Sequence, residues 1–321
     1  MNPEIFERST RRHFLASSSM SLGSVALAWL LNEQGLLAKP LPPEAARRRF
    51  DLAPKQPQSQ PRARAMISMF MQGGPSHVDT FDFKPALVAD HGKKVTASRW
   101  LNKPGAFERF LIKPRWPFRQ YGQSGAWVSD LFPCLGALAD DLCILNAMHC
   151  DSDGHDKATL AAHTGSAQFA RPSHGAWVSY GLGTVNRNLP SFMVLAPAAP
   201  YAGAQTWGSD FLPGCHQGTH VIPGKDPLPN LQPRVASLEL QQMELDLLGK
   251  FNRQHLERRA ADQALNARVR SFETAFGMQR EAPAAFDLSG ETEETLKLYG
   301  LDRGATSGFG WQCLVARRLA E

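Results

Sequence analysis

The chain has 321 residues, of which 43% are hydrophobic, enough apolar content to build a packed core and to exclude disorder throughout. Its formal charge of +5 is confined to one segment: residues 1–38 hold three basic and three acidic side chains, 39–64 hold seven and two, and 65–321 hold 25 of each. A neutral body excludes a general nucleic-acid-binding surface.

Ser9-Thr10-Arg11-Arg12-His13-Phe14-Leu15 precedes a charge-free stretch, Phe14 to Leu31, rich in Ser, Ala and Leu and only mildly apolar. Paired arginines before a weak apolar run form the pattern read by the twin-arginine export machinery. Residues 1–38 are therefore expected to be a twin-arginine signal and the protein to reside in the periplasm or cell envelope. Leu36-Leu37-Ala38 is a poor small-residue cleavage site, so membrane anchoring through residues 14–31 stands as an alternative. Residues 39–64 interleave Arg47, Arg48, Arg49, Arg62 and Arg64 with Pro42, Pro43, Pro54, Pro57 and Pro61, the composition of a solvated linker.

From residue 65 the chain alternates short apolar runs with helical patterns. Ala65–Met71, Leu142–Met148 and Ser191–Ala196 each end in a polar or proline-containing loop and predict buried strands. Helices are predicted over Asp156–His163 and His174–Gly181, an irregular excursion over 84–128, and a long helix within Arg234–Gln279 with a break at Gly249. Two more helices are predicted near Glu291–Tyr299 and Phe309–Glu321. Strands alternating with helices predict an α/β fold around a mostly parallel sheet.

Two stretches carry the density of reactive side chains. Gly73-Gly74-Pro75-Ser76-His77-Val78-Asp79-Thr80-Phe81-Asp82 joins glycines, which let backbone approach a ligand, to a hydroxyl, an imidazole and carboxylates that suit a divalent metal or proton transfer. A tight turn capped by Ser76 or Asp79 explains the same residues without chemistry. His149-Cys150-Asp151-Ser152-Asp153-Gly154-His155-Asp156 opens the next helix, with Asp153 as its expected cap. His77, Asp79 and Asp153 are the metal-ligand candidates; Ser76, Asp153 and His155 are the catalytic ones. No phosphate-binding glycine loop of the common nucleotide-binding kinds occurs, so no nucleotide cofactor is expected. His216 and His220, in a Gly/Pro-rich stretch, are expected at the surface. The five cysteines lack CxxC spacing, and Cys143, in an apolar run, is expected in the core.

Several motifs occur in order: the Thr-Arg-Arg-His-Phe-Leu start, Gly73-Gly74-Pro75-Ser76-His77-Val78-Asp79-Thr80-Phe81-Asp82-Phe83-Lys84-Pro85, Thr164-Gly165-Ser166, Arg171-Pro172-Ser173-His174-Gly175-Ala176-Trp177 and Asn188-Leu189-Pro190-Ser191-Phe192. Together they resemble the exported bacterial family called domain of unknown function 1501, grouped with the alkaline phosphatase and sulfatase superfamily. The resemblance implies that residues 65–321 are the N-terminal part of an alkaline-phosphatase-like α/β domain whose relatives continue further. It also implies a metal-dependent site for phosphate or sulfate esters at the carboxyl ends of the strands. This sequence departs from that pattern: Gln72-Gly73-Gly74 stands where an acidic pair is expected, and His155 falls at the position of the superfamily's nucleophile. The alternatives are a non-catalytic envelope binding protein that reuses the fold, and a truncated product without function.

Overall fold

The computed structural model describes residues 52–321 except 58, 101, 102, 187, 230, 232–236 and 258–262. The expected signal, the anchor run 14–31 and most of the expected linker lie outside the described residues. Among the described residues no helix is long and apolar enough to cross a membrane.

The chain is a mixture of helix and strand. After a 3-10 turn at His77–Asp79 come α1 (Pro85–Ala89) and two antiparallel hairpins, β1 (Lys94–Trp100) with β2 (Lys103–Phe110) and β3 (Phe118–Tyr121) with β4 (Ala126–Ser129). The short α2 (Pro133–Gly136) leads on to α3 (His155–Thr164), α4 (His174–Leu182) and β5 (Met193–Leu195). Then follow β6 (Thr219–Val221), α5 (Leu238–Glu257), α6 (Gln263–Phe286), α7 (Glu293–Leu298) and α8 (Phe309–Ala320).

Helix boundaries follow local chemistry. Gly165, at φ +75°, ends α3 in the left-handed region that glycine adopts without steric cost. Ser173 caps α4, its hydroxyl accepting the Ala176 N–H at 3.3 Å. Thr292 caps α7 in the same way, and Glu293 and Glu294 occupy its electropositive first turn.

The strand expectations need correction. Met193–Leu195 is a strand and pairs in parallel with Thr219–Val221, Val194 lying opposite His220. Ala65–Met71 and Leu142–Met148 are not strands: Met66, Ile67, Met69, Phe70, Met71, Leu145 and Met148 are exposed, and neither run has a sheet partner. Apolar composition creates a demand for cover, but a strand exists only where a second backbone satisfies its N–H and C=O groups. Among the described residues the sheets are two-stranded, and only β5–β6 is parallel. Conversely, the region expected to be irregular holds both hairpins. The second turns through Gly122 and Gly125, each at positive φ.

The core lies between the parallel pair and the last helices. Val221, Leu228, Ala282, Trp311 and Val315 are buried together, and Phe286 stacks on Trp311 with ring centroids 6.2 Å apart. Around the same core, Glu291 binds both Arg317 and Arg318 with its carboxylate almost covered. Glu281 of α6 accepts Asn186 and Asn188, fastening the loop before β5 to the helix. The expected linker does not float free over its whole length. Lys55 donates its backbone N–H to Leu182 at 2.9 Å, its ammonium group to the Tyr180 carbonyl, and lies 4.9 Å from the Tyr180 ring centroid.

Candidate functional site

The loop after residue 71 is shaped by its own hydrogen bonds. Ser76 donates its hydroxyl to Asp79 Oδ2 at 2.7 Å, and the Arg115 backbone N–H reaches Asp79 Oδ1 at 2.8 Å. These two donors, the backbone one foremost, hold the Asp79 carboxyl below its ordinary pKa. Asp82 is buried and takes the Lys84 ammonium at 2.8 Å, with His77 Nε2 3.9 Å from its other oxygen. Below, Ser129 donates its N–H to Thr80, while Phe83 packs against Phe118 and Trp127 of the second hairpin. Ser76, His77, Asp79 and Asp82 therefore form a self-bonded turn seated on a hairpin. That is the arrangement local turn chemistry accounts for.

The second stretch contributes differently. Gly154, and not Asp153, occupies the cap position of α3, and among the described residues no side-chain hydrogen bond caps this helix end. Asp153 is exposed on the preceding turn. The expected Asp153 cap is thus corrected: with Gly154 between them, the aspartate stands one residue too early to fold over the helix end. His155 is the first residue of α3, exposed, and stacked on Tyr201 at 5.4 Å between ring centroids with 24° between planes.

The two stretches do meet, at His155. A side-chain carbon placed on Gly74 would stand 3.7 Å from His155 Cε1 and 3.9 Å from Nδ1. Gly73 and Gly74 have φ of +98° and +69°, so the backbone passes the imidazole in a conformation that side-chain-bearing residues resist. About two turns further along α3, His163 holds its Nδ1 2.8 Å from the Thr159 carbonyl, which accepts, and meets Phe70 edge-on at 4.5 Å and His174 at 5.8 Å. Burial holds the His163 pKa below its usual value, and His174 adds to this. Glycine loop, uncapped helix end and Tyr201 surround one exposed imidazole.

The metal expectation meets a poorer fit. Among the described residues no three His, Cys, Asp or Glu side chains gather as a group that could hold an ion. Asp79 already accepts at both oxygens, and His77 turns to Asp82. His77, Asp79 and Asp153 do not form a ligand set among the described residues.

Three further expectations change. His216 is fully buried: its Nδ1 lies 2.7 Å from Ser179 Oγ, which in turn lies 2.6 Å from Ser191 Oγ. Gly218 lets this turn pack down, because any side-chain carbon there would come within 2.9 Å of Phe192, Trp207 and Val194. Burial pushes the His216 pKa down to about 4, with Lys55 contributing. His220 is half-buried, its Nε2 2.9 Å from the Ala196 carbonyl. Cys143 is exposed, as are Cys134 and Cys150, because the run that carries it is uncovered. Tyr201 was missing from the candidates. It lies 46 positions beyond His155 with no motif of its own, and its preceding Ala-Ala-Pro loop marks only a turn.

A family model described as a protein of unknown function (DUF1501) matches residues 63–321, and the chain belongs to that family. No curated protein matches the chain. No solved structure matches it either.

Proposed function

We propose that this member of the DUF1501 family is an exported protein that binds anionic phosphate- or sulfate-type esters at the Gly74–His155 site and hydrolyses them there. The observation that carries the reading is the α3 N-terminus. Among the described residues no side chain caps its first-turn N–H donors, its dipole favours negative charge, and its first residue is an exposed imidazole facing a glycine backbone. An ester anion seated on those N–H groups would lie beside His155. The imidazole takes a proton from water, the water oxygen bonds to phosphorus or sulfur, and the ester oxygen leaves with a proton from solvent. Tyr201 keeps the ring in place by stacking.

Export by the twin-arginine route and an alkaline-phosphatase-like domain belong to the same proposal, supported by the paired arginines and the motif order. A second reading, binding without turnover, is favoured by the self-bonded state of Ser76, His77 and Asp79, which leaves His155 with few polar side chains committed to chemistry.

The test is a screen of phosphate and sulfate monoesters with the full chain and His155→Ala, each with chelator and with added Mg²⁺, Mn²⁺, Ca²⁺ or Zn²⁺. Hydrolysis lowered about 100-fold or more by His155→Ala supports the proposal. Saturable binding of the esters without turnover selects the second reading, turnover strictly dependent on added metal would show that the site recruits an ion, and neither binding nor turnover would overturn both readings.

A further inference from the structure

Away from His155, α5 presents two faces of opposite character. Gln241, Leu245, Gly249 and Asn252, four or three residues apart, are half-buried, and Gln241 donates to Gln279 of α6 at 2.9 Å. That side is the attached one. Roughly opposite on the helix stand Leu240, Met243, Leu247 and Phe251, spaced three, four and four residues apart, with 43%, 63%, 55% and 59% of their surfaces exposed. Leu248 widens the stripe at its edge. Singly exposed apolar residues mean little, but a continuous stripe along a 20-residue helix is a surface that a partner normally covers.

The charges beside the stripe indicate which partner. On one flank the order from the N-terminal end is Glu239, Asp246, Lys250: acidic in the first half, basic in the second. A second copy of the same helix laid antiparallel brings Asp246 of each to Lys250 of the other. That register puts Leu247 on the two-fold axis and Met243 opposite Phe251. A parallel pairing instead lays the acidic half on the acidic half. The flank is complementary to itself in one direction only.

We propose that α5 is a self-association surface: two copies of the chain pair antiparallel through Leu240, Met243, Leu247 and Phe251, with the Asp246–Lys250 contact made twice. The helix is about 30 Å long, so the contact lies at the small end of specific interfaces and the dimer dissociates in the micromolar range. The inference is independent of the ester site.

Sedimentation of the full chain across micromolar concentrations tests it. The wild type should approach twice 35.3 kDa as concentration rises. Leu247→Asp should leave a monomer with an unchanged circular dichroism spectrum, since the residue contributes little to the fold's own core. Asp246→Lys and Lys250→Asp should each weaken the dimer about tenfold through doubled like-charge contacts, and the double variant should restore it. A chain that stays monomeric at the highest concentration, a Leu247→Asp dimer, or single reversals that the double variant fails to rescue would overturn the proposal.

Discussion

The residues around Trp311 and the apolar runs that precede His155 belong to one chain, yet they end in opposite states. Near Trp311, β6, α6 and α8 bury one another's apolar faces, and Glu291, Arg317 and Arg318 close the edge with ion pairs. Before His155 in the chain, Met66 to Met71, whose Phe70 meets His163 of α3, and Leu145 to Met148 carry apolar side chains that remain in solvent. The difference lies in backbone pairing. Helices satisfy their own N–H and C=O groups and need only a face to pack, whereas an extended apolar run gains burial only when another strand accepts it. Stability concentrates where helices pack, and the candidate site sits where they do not.

The sharpest way to break this contrast is a pair of truncations. Trp311→Ala empties the core and should cost about 3–5 kcal/mol, while Phe70→Ala, 45% exposed, should cost under about 1 kcal/mol. Urea unfolding midpoints of the two variants measure both, and equal losses would abolish the distinction.

A pH titration probes the same inner region with a smaller expected effect. His216 has a folded pKa of about 4, below the usual 6.5 of a free imidazole. The folded state therefore favours neutral His216: its contribution is complete above pH 6.5, falls as the unfolded chain takes up a proton between 6.5 and 4, and is gone below that. The loss across the window is up to about 3 kcal/mol. Stability measured by urea midpoint at steps from pH 7 to pH 4 should show this slope, and His216→Gln should flatten most of it, leaving the smaller slope of the likewise depressed His163. An unchanged slope in His216→Gln would remove the buried imidazole from the account.

How much of this was readable beforehand follows the same division. Helices α3, α4, α7 and α8 were legible because helix formation is local, and the structure ends α3 at Gly165 and caps α4 and α7 with Ser173 and Thr292. Met193–Leu195 was legible as a strand, but its partner Thr219–Val221 was not, because pairing across two dozen residues leaves no trace in a short run. His216 read as a surface residue for the same reason; the hydroxyl that receives it, on Ser179, is 37 positions away. At the site, His155 and the glycines were legible from composition. The internal bonding of Ser76 and Asp79 stood open as one of two readings, and the stacking of Tyr201 could not be read at all.

The smallest stability effect, and the most local, is expected at the loop itself. Gly74→Ala forces a side chain into φ +69° and should cost about 1–2 kcal/mol at most, less if the exposed loop relaxes. It should nevertheless weaken any ester binding at His155 more than Gly125→Ala, a positive-φ change of the same kind in the distant hairpin turn. Isothermal titration with inorganic phosphate or sulfate compares the two, and equal weakening would mean that Gly74 acts only through general loop strain.

The account turns on an anion seated at the start of α3. The most direct measurement is a titration of the isotope-labelled full chain with inorganic phosphate, following the backbone amide resonances of His155, Asp156 and Lys157. Saturable shifts concentrated at these three amides, and lost on adding salt that competes for the site, are predicted. Shifts that are absent, or that spread evenly over the basic surface without saturating, would contradict it.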